Sequence, residues 1–265
     1  MKKKRWIGNL ILVACVLLCV GSGGYLLRYF LSAKNTEKAV EQLQEYREEG
    51  QNEPDDGEDI PLESGHSVSQ KYKKLYKKNK DMIGWIQIKN TKINYPVMQT
   101  KKDSEYYLHR NFEKKNDVNG LPFLDAGCDL DDKEENLMIY GHHMKSGLMF
   151  AHLMDYRNEK FYRSHTGIEL DTLYESRKYK VVAAFYSQIY PKEQDVFKYY
   201  EYIGHLSKKQ YDKYVKNIRK LSLYDTGITP EYGQQLLTLV TCAYHTEEGR
   251  FVVVAVKEKD GETNE

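Results

Sequence analysis

Residues 236–257 read LLTLVTCAYHTEEGRFVVVAVK: two apolar, β-branched runs flank a polar loop that opens at Cys242 and closes at Arg250. Such runs favour strands, because a branched side chain packs well on a pleated surface. If the two pair as a hairpin, the cysteine at the end of one and the arginine at the start of the next become neighbours at one rim of the sheet. A guanidinium beside a thiol favours the thiolate, which is the nucleophilic form. From this segment alone, Cys242 reads equally well as a small apolar core residue.

Working outward, six more short stretches carry the same signature: WIQI (85–88), INYPVM (93–98), LPFL (121–124), NLMIYG (136–141), IELDTL (168–173) and YKVVAAFYSQI (179–189). With LLTLVT (236–241) and RFVVVAVK (250–257) they make eight strands of a mainly β domain. Their number and spacing favour a closed barrel or a sandwich, antiparallel wherever the connection is short. Twenty-three tyrosines against eight phenylalanines suit such half-wet surfaces. Two helices interrupt the pattern. Tyr72, Leu75, Tyr76 and Ile83 predict an amphipathic helix running into Gly84, and Ser207 caps a second over 207–221 with Tyr211, Tyr214, Val215, Ile218 and Leu221 on one face.

Upstream, the chain divides by composition. Residues 1–5 are basic, 6–31 are apolar enough for a transmembrane signal anchor, and 32–67 are polar and then acidic. A cleaved signal peptide fits the start as well, with Leu31-Ser32-Ala33 as a poor cleavage site. Either reading exports the rest. Segment 32–67 is expected to be a mobile stalk, since it buries too little apolar surface to offset its ordering entropy. The folded domain is expected over 68–259, followed by a polar tail at 260–265.

Forty basic and 39 acidic residues nearly cancel, which removes the field expected of a nucleic-acid-coating protein. No HExxH, CxxC or GxGxxG is present, so neither a metal nor a nucleotide cofactor is expected. Cys15 and Cys19 fall in the apolar stretch, leaving Cys128 and Cys242 as either two thiols or one bridge. A cysteine nucleophile needs a proton-transfer partner, a task suited to histidine. His142 and His143 follow the strand NLMIY, and neighbours on extended backbone point to opposite sides, so position alone does not choose between them. His66, His109, His152, His165, His205 and His245 lie in ordinary polar or loop contexts.

TLVTC followed by Arg250, with YGHHM upstream and an apolar N-terminal stretch, resembles the signature of sortases. The inserted helix resembles class B, and class A members lack it. The resemblance covers about residues 68–258. It implies an eight-stranded sortase-type barrel with an N-terminal helix and a helix inserted before the last two strands. It further implies Cys242 as nucleophile, His142 as acid and base, Arg250 on the oxyanion, and Tyr140, Thr241, Leu108 and Tyr200 along the substrate groove. Val240 stands where some members carry serine. The implied activity joins sorting-signal-bearing surface proteins to an amine of peptidoglycan or its lipid-linked precursor, from a single-pass membrane enzyme with an extracellular catalytic domain and no cofactor. A cell-wall cysteine peptidase and a non-enzymatic anchored module are the alternatives. The first usually places its cysteine before its histidine, and a bridged or buried Cys242 would favour the second.

Overall fold

A computed structural model describes residues 2–55, 57–130 and 134–259, so the expected tail at 260–265 lies outside the described residues. The hairpin read from the sequence is present: β7 (Leu236–Cys242) runs antiparallel to β8 (Gly249–Lys257), with Leu236 opposite Val256 and Cys242 opposite Arg250. Around it, among the described residues, β1 (Met82–Gln87), β2 (Asn94–Met98), β3 (Phe123–Leu124), β4 (Asn136–Tyr140), β5 (Gly167–Thr172) and β6 (Ser176–Gln188) complete a closed barrel. Its order is β1-β2-β3-β4-β7-β8-β6-β5.

The short connections β1–β2, β5–β6 and β7–β8 give antiparallel pairs. The β2–β3 and β4–β7 pairs, joined through long connections, are parallel. Closure removes free edges, and the apolar strands bury almost continuously, with Phe251 to Ala255 of β8 inaccessible.

Helix α4 (Lys208–Leu221) is the inserted helix, capped by a reciprocal Ser207–Gln210 box. Its buried face carries Tyr211, Tyr214, Val215 and Ile218, each contributing roughly 1.5–3 kcal/mol as an upper bound. The Tyr214 hydroxyl lies 2.8 Å from Thr238 Oγ1, and Thr238 in turn donates to Asn136 Oδ1, so the helix is fastened to β7 and β4.

Two expectations are corrected. The helix before the first strand, α2 (Gln70–Lys78), ends well short of Gly84, which belongs to β1 instead. A Cβ at Gly84 would lie 2.3 Å from the Asp171 carbonyl of β5, so glycine is needed for strand approach and not to stop a helix. Residues 32–52 of the expected stalk are helical. Helix α1 (Lys2–Asn52) is continuous and packs Ala33, Thr36, Val40 and Leu43 against the domain at steps of three and four. Arg47 Nη2 and Lys71 Nζ both donate to Asp171 Oδ2, at 3.2 and 2.6 Å. Burial alone would raise the Asp171 carboxyl, but bonds from Lys71, Ser176 and Tyr72 bring it below its usual range. Two short helices, an eight-residue 3-10 segment (Phe150–Arg157) and α3 (Glu159–Ser164), had no counterpart in the sequence reading.

Candidate active site

The barrel register assembles the site. In the parallel β4–β7 pair Tyr140 stands beside Val240, and the pairing continues as Gly141 donates to the Val240 carbonyl at 3.0 Å. His142 follows just beyond the end of β4, and the antiparallel β7–β8 ladder sets Arg250 opposite Cys242. All three line one cleft of about 590 Å³, together with Tyr140, Thr241, Leu108 and Tyr200. Every site residue inferred from the sequence therefore sits in a single cavity.

Gly141 serves space. A Cβ there would lie 2.6 Å from Cγ of the buried Phe150, and that ring supports the turn that presents His142. The φ of Gly141 is not among the positive ones, so space and not a left-handed backbone is what calls for glycine here. Phe150 N donates to the His142 carbonyl at 2.9 Å.

The two adjacent histidines bind two different carbonyls. His142 Nε2 lies 2.8 Å from Leu108 O, and a carbonyl can only accept, so Nε2 carries the proton and Nδ1 is the acceptor of the neutral ring. Burial lowers the His142 pKa; the Leu108 bond opposes that, and the stacked His109, 5.6 Å away, adds to it. His143 turns aside and donates from Nδ1 to Cys242 O at 3.0 Å, with its ring stacked on Tyr244.

Cys242 is half-buried and carries a free thiol. Cys128 is free and fully buried, and burial pushes its thiol up to about 12. The bridge left open by the sequence is therefore not formed. Arg250 donates to Glu248 Oε2 at 3.1 Å and to the Gly249 carbonyl at 3.0 Å. The Thr241 hydroxyl donates to Gly141 O at 2.8 Å, which ties β7 to the turn after β4. Tyr200 accepts from Tyr190 N and donates back to Tyr190 O, so its hydroxyl holds the loop after β6. Tyr140 donates to Asp125 Oδ2, and burial, followed by the Asp125 charge, raises its phenol far above the usual range.

Sequence reasoning missed Asp125, Glu248 and Tyr199, which line the same cleft. Glu248 sits two residues before Arg250 in the turn between β7 and β8, a spacing that carried a signal. Asp125 directly follows β3 and Tyr199 opens a 3-10 turn (Tyr199–Glu201), and only the closed fold brings them in.

A closed barrel carrying a free cysteine, a histidine and an arginine around one cleft defines a cysteine enzyme of barrel architecture. The Sortase domain model matches residues 86–258. Sortase B of Staphylococcus aureus is 27% identical over 259 residues, covering 96% of this chain and 98% of that one. Sortase B of Listeria monocytogenes is 30% identical over 188 residues, covering 70% of this chain and 73% of that one. A Staphylococcus aureus sortase B–substrate complex superposes with a TM-score of 0.71 at 26% identity, over 87% of this chain and all of that one. The chain belongs to the sortase family of cysteine transpeptidases, in class B.

Proposed function

We propose that this chain is a membrane-anchored transpeptidase that cleaves a C-terminal sorting signal after a threonine-like residue and joins the exported protein to an amine of peptidoglycan or its lipid-linked precursor. The observation that carries this reading is the convergence of Cys242, His142 and Arg250 on one cleft. The substrate complex of the Staphylococcus aureus relative supports a peptide substrate for the same barrel.

In the proposed reaction, His142 Nδ1 takes the Cys242 thiol proton and the thiolate adds to the threonine-like carbonyl. Arg250 meets the developing oxyanion, turning toward it from Glu248. The tetrahedral adduct collapses as the amide C–N bond breaks, and His142 returns the proton to the leaving amine. The incoming amine then attacks the thioester, loses a proton through His142, and the thiolate is released. A lowered His142 pKa keeps the ring neutral at neutral pH, ready to accept, and makes its cation a stronger acid toward the leaving group.

Helix α1 exposes Leu12, Leu17, Leu18, Val20 and Leu27, which supports an anchor over residues 6–31 and a catalytic domain outside the membrane. Arg250→Lys is expected to lower kcat by about 10²-fold or more on a sorting-signal peptide, because an ammonium cannot reproduce the guanidinium fork. Near-full activity of that variant would remove the role assigned to Arg250.

A further inference from the structure

The direction in which α1 crosses the barrel fixes which end of the barrel lies toward the membrane. At Thr36 the helix meets the catalytic rim: Thr36 Oγ1 donates to Asp117 Oδ2 at 2.8 Å, and Asn119 Nδ2 donates to Thr36 Oγ1 at 2.9 Å. The same loop holds His109, whose carbonyl accepts from Asp117 N and whose ring stacks on His142. By Arg47 the helix has reached the opposite end, where Asp171 of β5 pairs with Ser176 at the start of β6. The other end of β6, Gln188, pairs with Gly249 beside Arg250. Eleven helical residues separate the two attachments, a rise of about 17 Å, close to the roughly 20 Å length of a seven-residue strand.

The apolar residues of α1 therefore leave the domain at the catalytic rim. Leu27, Phe30 and Leu31 are exposed, and Leu31 precedes Thr36 by a rise of only about 8 Å. Between the helix and the rim loop lies a cavity of about 960 Å³, lined by Leu27, Arg28 and Leu31 on one side and His109, Asn116 and Val118 on the other. Two side chains at the rim are exposed: Val118 at 54%, and Tyr244 at 75% with its ring stacked on His143. Tyr244 belongs to the loop that follows Cys242 at the same rim.

We propose that the catalytic rim faces the bilayer, with the 109–118 loop and Tyr244 resting on its headgroups and Val118 among the lipids. This rests on the membrane-anchor reading of residues 6–31. The partner is the lipid surface itself. Continuity with α1 identifies it, since the side chains that line the helix side of the cavity belong to or adjoin the apolar stretch. A short rigid tether holds the cleft at the membrane surface, where a free spacer would let it range widely.

The test uses the full chain in vesicles of phosphatidylcholine and phosphatidylglycerol, with the photo-crosslinking residue p-benzoylphenylalanine in place of Val118 or, as control, of Tyr232. Tyr232 is also exposed and precedes β7, so it lies at the end of the barrel away from Cys242. Irradiation is expected to give lipid adducts at 118 and only background at 232, read by mass spectrometry of peptides. A chain that floats with the vesicles but crosslinks lipid equally at both positions, or at neither, overturns the orientation and leaves the anchor standing. A chain that does not float overturns the anchor and the orientation with it.

Discussion

The His142 ring keeps its Nε2 proton on the Leu108 carbonyl, so the atom left to accept is Nδ1. Because burial lowers its pKa, the folded domain resists charging this ring. Between the unfolded value near 6.5 and the lower folded value, the unfolded chain binds the extra proton, so stability falls as pH drops through that window and levels off below it. His142→Gln is expected to flatten this part of the curve of Tm against pH; an unchanged slope would contradict the buried neutral ring. His143 holds the Cys242 carbonyl from the other side. His143→Ala is expected to lower kcat by an amount consistent with one lost hydrogen bond, about 0.5–1.5 kcal/mol or roughly twofold to thirteenfold, with KM little changed. Here the sequence was only half legible. Alternation along an extended strand let at most one histidine face the cysteine, the family resemblance pointed to His142, and the fold brings His142 into the cleft of Cys242 from a hundred positions away.

Most elements were readable because their patterns are local. The β-branched runs became β1 to β8, and the Ser207 cap with its tyrosine stripe became α4. What failed was Gly84 read as the end of a helix. Gly84 and Gly141 are fixed by what a Cβ would strike, the Asp171 carbonyl and the Phe150 ring, and both obstacles come from elsewhere in the chain. Gly141→Ala is expected to cost about 1–3 kcal/mol in thermal unfolding through overpacking, and to lower activity as the His142 turn shifts. The short helices between Phe150 and Ser164 lack a strong period, so no pattern announced them.

At the scale of the whole molecule, α1 changes the picture of an enzyme on a loose stalk. Its buried side chains Ala33, Thr36, Val40 and Leu43 make a thin stripe in a polar segment, too thin to mark a packed helix from composition. Its other attachment, Arg47 on Asp171, spans 124 residues and is invisible locally. Leu43→Ala is expected to lower stability by about 2–5 kcal/mol and to open residues 34–52 to limited proteolysis in the full chain. Protection equal to the parent chain would show that the helix does not depend on that contact. All of this serves one chemical centre, the half-buried thiol between His142 and Arg250. Its role is tested most directly by incubating the chain with a sorting-signal peptide, without acceptor amine, and measuring intact mass and peptide cleavage for the parent and for Cys242→Ala. The account predicts a thioester adduct of the N-terminal peptide fragment on Cys242 in the parent, with neither adduct nor cleavage in the variant. Cleavage by Cys242→Ala at the parent's rate would contradict it.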